Sequence, residues 1–170
     1  MSQIKIYSTK EVDKPFRALA MKKFGYNKGA ISKAAEEALI RWTNTISAIN
    51  LLIEKIVERS KKDSRILAVV LFGSYARKDP NFRDVDVGLL LYDAKDSVNV
   101  YSDYVTFIGG ENYLDLSVIN SLPIRVQSSI FNDAIILYSS NDSALYDYTI
   151  NLIKKSADSR HLLNEALKTI

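Results

Sequence analysis

Asp84 and Asp86 are separated by a single residue in the stretch LFGSYARKDPNFRDVDVGLLL, Leu71 to Leu91. Extended backbone alternates its side chains, so a strand here puts both carboxylates on one face and Val85 and Val87 on the other. A third acid, Asp115, lies inside YLDLSVI, another alternating stretch. If the strands are neighbours, three carboxylates converge and repel one another, and these strands carry no matching pair of arginines to neutralise them. A divalent cation resolves the conflict, because carboxylate oxygens suit Mg2+, which prefers octahedral oxygen ligands and shares them with substrate phosphates. Gly73 and Ser74 fit the same chemistry: a glycine turn lets backbone N–H groups approach phosphate without a Cβ in the way.

The composition narrows the alternatives. The chain has no cysteine and one histidine, which excludes disulfides, thiolate metal sites and a cysteine nucleophile and argues against a histidine cage or a Ser-His-Asp triad. Carboxylates and basic side chains must carry any chemistry. There is no apolar run of bilayer length and no signal peptide pattern, so the expected location is cytoplasmic, with no membrane partner. The length of 170 residues allows one ordinary domain and a small appendage.

The elements that must position the acids are legible in outline. ILAVVLF is a continuous apolar run of strand length, suited to a sheet interior. A helical turn, YARK, follows Gly73 and Ser74, and DVDVGLLL is the next strand. Gly109 and Gly110 predict a turn between strands, serving hairpin geometry. Tyr146 and Tyr148 are expected to pack a C-terminal helix against the sheet. Arg160 is a weaker candidate for a ligand contact at the rim of the site, and His161 beside it reads as a surface or capping residue.

Gly-Ser, a ten-residue gap, Asp-hydrophobic-Asp and a third Asp on a later strand together resemble the nucleotidyltransferase superfamily that includes DNA polymerase beta. The segment FGSYARKDPNFRDVDVGLLL is most similar to the small members called minimal nucleotidyltransferases, and LPIRVQSSIFNDAIILYSSN resembles the helix and edge strand that follow the third acid there. The resemblance implies that Gly73, Ser74 and Arg77 bind the nucleotide, with the first two on its β- and γ-phosphates. Asp84 and Asp86 would hold Mg2+, two ions in all, and Asp115 would complete the second metal site or activate the attacking hydroxyl. ATP is the expected nucleotide. Two departures from the family pattern stand out: Lys78 replaces a usual glycine, and Arg83 replaces a frequent serine. Arg83 could pair with Asp84 or Asp115 and compete with metal.

The N-terminal part carries a different signal. Residues 1 to 45 hold nine Lys/Arg against four Asp/Glu, whereas the remainder holds fourteen against sixteen. Such a basic segment points to phosphate contact, or to a lysine-rich solvated surface. QIKIYS alternates as a short strand with Ile4 and Ile6 on one face. A helical stripe follows (Val12, Phe16, Leu19, Ala20, Phe24), beginning either with Asp13 as cap and Pro15 just inside or at Ser8 with Glu11 completing a capping box. Gly25 ends it, GYNKG turns, and Ile31, Ala34, Ala35, Ala38, Leu39 and Trp42 lay a second stripe, with Trp42 expected in a core or a domain junction. This order resembles the ribbon-helix-helix family of DNA-binding proteins over about Gln3 to Thr43. The resemblance implies a homodimer that pairs its N-terminal strands, with Gln3, Lys5 and Tyr7 facing DNA and Asn27, Lys28 and Gly29 near phosphate.

The expected architecture is therefore α+β: a nucleotidyltransferase fold of mixed sheet and helices over residues 46–170, preceded by a small ribbon-helix-helix domain over residues 1–45. No glycine or proline falls between Gly29 and Gly73, so the second helix runs into, or stops close to, the first helix of the larger domain. ERSKKDSR, Glu58 to Arg65, is the polar break before the first strand. A short chain of this kind resembles antitoxin nucleotidyltransferases, which work beside a toxin of the HEPN class and in some cases transfer AMP to its tyrosine; operator binding would then serve autoregulation. Aminoglycoside nucleotidylation is a second option. A DNA-binding regulator whose transferase domain is an inactive nucleotide sensor is the alternative from another class.

Overall fold

A computed structural model describes residues 5–109 and 113–167 of the chain. Its elements are α1 (Lys10–Phe24), α2 (Ala30–Ser60), β1 (Ile66–Phe72), α3 (Gly73–Ala76), β2 (Val85–Leu91), α4 (Ser97–Ile108), β3 (Leu114–Val118), α5 (Ile124–Asp133), β4 (Ile135–Ser139) and α6 (Asp142–Leu167). Two compact units emerge, Met1–Ala48 and Ile49–Ile170.

The larger unit is built on a four-stranded sheet in the order β3-β2-β1-β4. β1, apolar along its whole length, lies inside the sheet and is antiparallel to both neighbours. β2 and β3 are parallel, which requires a crossover, and α4 supplies it. One sheet face carries Ala68, Val70 and Leu90, which pack with Ile119, Ile130 and Phe131 and with Ala144, Leu145 and Tyr148 of α6. Gly88 is required on this face: a Cβ there would lie 2.8 Å from Ile119 Cδ1 and 2.9 Å from Val70 Cγ2. Val69, Val87 and Leu89 point the other way and are fully buried, as are Ile49, Ile56, Val100 and Tyr104 of α2 and α4. The Ser60 and Tyr104 hydroxyls are hydrogen-bonded to each other at 3.1 Å, tying the end of α2 to α4. The mixed sheet with helices is the α+β architecture expected for the transferase part.

Several expectations for local structure need correction; of the two tyrosines of α6, Tyr148 packs on the sheet while Tyr146 is 66% exposed. α1 begins at Lys10 with Thr9 as its N-cap, at neither Ser8 nor Asp13. Asp13 is instead inside the helix, where Arg17 one turn later donates to both its carboxylate oxygens at 2.8 and 2.9 Å, and Pro15 is accommodated in the second turn. Gly109 does not make a hairpin. It is the left-handed C-cap of α4, φ 79°, so the glycine serves a helix end; Gly110 lies outside the described residues. Trp42 is 61% exposed and belongs to no core.

The smaller unit consists of α1, a turn, and the first part of α2, which continues unbroken to Ser60. Gly25 ends α1 with φ 83° as the sequence implies. Residues 5–9 form no strand; a single chain offers this segment no partner backbone. Gln3 and Ile4 lie outside the described residues. Among the described apolar side chains of this unit only Ala20 and Ala30 are buried, while Val12, Leu19 and Trp42 are exposed.

Candidate active site

Pairing brings two of the acids together. Asp86 on β2 is the register partner of Asp115 on parallel β3 and of Phe72 on antiparallel β1. Asp84 immediately precedes β2, and the next residue, Val85, is locked in place by its N–H donating to the Tyr113 carbonyl at 2.9 Å. Val85 and Val87 are fully buried, so burial of the valines turns the alternate residues, the aspartates, to the face where β1 meets its glycine turn.

The electrostatics follow from that placement. Burial pushes the Asp86 carboxyl above the ordinary carboxylate range, the charges of Asp84 and Asp115 push it further, and Arg77 opposes them. Arg77 is not free to neutralise Asp86 fully, because its Nη1 donates to Asp133 Oδ2 at 2.9 Å. Arg83 pairs with neither Asp84 nor Asp115 among the described residues, contrary to the competition its position allows.

Gly73 explains why a glycine must follow β1. Its φ is +74°, and a Cβ there would fall 1.8 Å from Asp86 Oδ2 and 2.7 Å from Asp86 Cγ. The Asp86 carboxyl thus occupies the space a side chain at 73 would need. The turn then closes with the Arg77 N–H donating to the Gly73 carbonyl, at 3.2 Å, and the Asp79 N–H to the Ser74 carbonyl, at 3.0 Å. Lys78 adopts φ 60°, a left-handed conformation that explains why a glycine suits this position. Tyr75 holds the following loop by an edge contact with Phe82, ring centroids 4.9 Å apart, and donates to Asn50 Oδ1 at 3.3 Å.

The donor set fits a hard cation: three carboxylates, two of them paired across strands, with a penalty on Asp86 that positive charge would relieve. Among the described residues no group of three or more His, Cys, Asp or Glu side chains is arranged to hold a metal ion, so only the strand-paired Asp86 and Asp115 are brought together as ligands. Sequence reasoning missed the Arg77–Asp133 ion pair and the packing of Asp86 on Gly73, since both join residues whose proximity depends on the fold.

The other expected site residues lie in the smaller unit. Lys5 and Tyr7 are exposed, and Asn27, Lys28 and Gly29 occupy the exposed turn between α1 and α2, where the Asn27 side chain donates to the Phe24 carbonyl at 3.3 Å. Gln3 and the side chains of Arg160 and His161 lie outside the described residues. No described helix is long and apolar enough to cross a membrane.

The family described as polymerase beta, nucleotidyltransferase, matches residues 54–143, just over half of the chain. The chain belongs to the polymerase beta nucleotidyltransferase family. The match contains the glycine turn and all three acids. No curated protein matches the chain in sequence. Among solved structures, a toxin–antitoxin complex with AMP-PNP is 14% identical, covering 68% of this chain and 96% of the other at a TM-score of 0.48. The MNT antitoxin complexed with tri-AMPylated HEPN toxin of Shewanella oneidensis is 15% identical, with 69% and 98% covered and a TM-score of 0.46. A MntA–HepT toxin–antitoxin structure is 13% identical, with 69% and 98% covered and a TM-score of 0.46.

Proposed function

We infer that this nucleotidyltransferase is Mg2+-dependent and transfers AMP from ATP to a hydroxyl of a partner protein of the HEPN toxin class, and that its N-terminal segment binds operator DNA as a dimer to regulate its own operon. The observation that carries the transferase part is Asp86 facing Asp115 across β2 and β3, with Asp84 two residues before it. Like charges on neighbouring strands repel, and a bound cation relieves that repulsion.

In this reading Asp84 and Asp86 hold Mg2+ and Asp115 completes the site on the acceptor side. A cation held there would supply positive charge for the triphosphate and the departing pyrophosphate. Gly73 and Ser74 receive the β- and γ-phosphates, and Arg77, already poised between Asp86 and Asp133, moves its charge toward them. The acceptor oxygen forms a bond to the α-phosphorus while the bond from that phosphorus to the α,β-bridging oxygen breaks. The electron pair leaves on pyrophosphate, and the hydroxyl proton passes to the Asp115 carboxylate and on to water, so atoms and charge balance.

The dimer reading is supported by the small unit's lack of a core. Fewer than 50 residues with two buried alanines cannot sustain themselves. Val12, Phe16, Ile31, Leu39 and Trp42 line an apolar groove of about 400 Å3 that a second copy would fill. Pairing of the Gln3–Tyr7 segments would supply the strand that a single chain lacks.

Calorimetric titration with Mg2+ and the α,β-methylene analogue of ATP tests the site. Binding that weakens at least about tenfold in the Asp84→Ala/Asp86→Ala variant is expected; equal binding by both would remove the carboxylates from the site. A mobility shift with the DNA upstream of the protein's own reading frame tests the other half, and an unshifted probe would sink autoregulation. A regulator with a sensing but inactive transferase domain is the second reading. The Asp86 carboxyl turned onto Gly73, and Arg77 held by Asp133, are the observations that favour it.

A further inference from the structure

We propose that the open edge of β3 is the acceptor-docking groove: an extended polypeptide segment adds to the sheet beside β3 and thereby delivers its hydroxyl to Asp115. The inference rests on the transferase reading above and specifies how its acceptor is recognised.

β3 ends the four-stranded sheet, so its outer backbone groups have no strand partner among the described residues. A cavity of about 450 Å3 lies along it. Four consecutive β3 residues, Asp115 to Val118, line this cavity. Alternate residues of a strand point to opposite faces, so a cavity touching four in a row runs along the strand's edge and is not confined to one face. Its walls come from both sides of the sheet. Val98 and Tyr101 of α4 form one, and Leu122, ahead of α5, belongs to the other. Val98 is 79% exposed, a large apolar side chain presented to solvent at the lip of a groove.

Three features select the occupant. An unpaired strand edge is complemented by another extended backbone, whose N–H and C=O groups give affinity while alternate side chains fill flanking pockets. The groove is continuous with the candidate active site, because Asp115 is both its end and the acid facing Asp86. Its charge is wrong for a nucleic acid: among the described residues that line it there is one carboxylate and no lysine or arginine. An RNA or DNA acceptor would bring phosphates to a wall without cations. A polypeptide brings no such charge, and Ser117, on the same face as Asp115, offers its segment a hydroxyl contact two residues along the strand.

The β4 edge at the other side of the sheet is also apolar and exposed, with Ile135 and Ile136 at the surface. It carries none of the three acids. Docking there would leave the acceptor hydroxyl two strands away from Asp86, so the β3 edge is the productive one.

The test uses the full-length protein with Mg2+, α-labelled ATP and a pooled library of decapeptides, each with one central tyrosine and randomised flanks. Labelled peptides are expected, with β-branched residues enriched beside the tyrosine. The best peptide is then resynthesised with single backbone N-methyl groups. Removing a donor that pairs with β3 is expected to lower labelling about fivefold, and only at alternate positions, because strand addition uses every second N–H. Val98→Lys should reduce peptide labelling, whereas Ile153→Lys on α6 should not. Circular dichroism checks that each variant folds, and the N-methyl series needs no protein variant at all. Labelled peptides that tolerate N-methylation at every position would overturn strand docking while leaving protein modification intact. Label on an added RNA 3′ hydroxyl would overturn the polypeptide acceptor, and label only on the protein's own tyrosines would overturn docking of a separate segment, in both cases with the transferase still active. Absence of transfer to any acceptor would remove both the transferase reading and this one.

Discussion

Replacing Gly73 by alanine separates two effects that the geometry superimposes. At φ +74° an L-residue costs about 1–2 kcal/mol through the clash of its Cβ with backbone. The new Cβ would also sit 1.8 Å from Asp86 Oδ2 and 2.7 Å from its Cγ, so the carboxyl must leave its rotamer, an overpacking cost of about 1–3 kcal/mol. The second cost depends on Asp86 and the first does not. Gly73→Ala alone should therefore lose about 2–5 kcal/mol, while in an Asp86→Ala background the same change should lose about 1–2 kcal/mol, a coupling of about 1–3 kcal/mol. Urea unfolding of the four proteins in EDTA, followed by circular dichroism and by hydrogen exchange at β1 and β2 amides, measures the cycle in the sheet itself. Exchange also guards against treating two units as one transition. Additive losses would refute the argument that Asp86 packs on Gly73 in solution. The same displacement should abolish nucleotide binding in Gly73→Ala, because the carboxyl is driven out of the site.

The remaining predictions are shorter. A carboxyl whose folded pKa is raised is less willing to ionise in the fold, so its penalty is full above the folded pKa and vanishes below the unfolded value. Asp86→Asn should therefore stabilise the metal-free protein at pH 7, and its advantage over wild type in thermal melts should shrink as the pH is lowered through the acid range; a gap that widens instead would reverse the sign of the argument. Lys78→Gly relieves a left-handed lysine and should gain about 1 kcal/mol, or about 2–4 °C in Tm for a chain of this size; a lower Tm would show that the lysine side chain is itself held. Gly88→Ala forces a methyl into Ile119 and Val70 and should cost about 1–3 kcal/mol by urea denaturation, with a neutral result showing that the core there yields.

What could be read beforehand was what depends on local pattern. The uninterrupted apolar run Ile66–Phe72 has the length and composition of an interior strand, and the spacing of Ser74 from Asp84 and Asp86 marks the chemistry without any fold. The absence of glycine and proline after Gly29 left room for the single 31-residue helix that is found. What was hidden depends on distant partners. Nothing in the order of residues states that Asp86 meets Asp115, since that register is fixed by valines burying themselves on the far face of the sheet. Arg77 and Asp133 are 56 residues apart and are joined only when α5 returns beside α3. The start of α1 is set by backbone, the Val12 and Asp13 N–H groups donating to the Thr9 carbonyl at 3.2 and 2.9 Å, and no residue type in the sequence marks that position. That Lys78 stands where glycine is usual is visible in the sequence, but its positive φ, which gives that departure a cost, is a property of the folded turn.

The most direct measurement is Mg2+-dependent transfer of label from α-labelled ATP, comparing wild type with Asp84→Ala/Asp86→Ala, with and without the protein encoded by the neighbouring gene. Label on a hydroxyl of that partner, present with wild type and absent with the variant, is the predicted result. ATP binding without label on any acceptor would contradict it and would leave a nucleotide-sensing regulator in place of the enzyme.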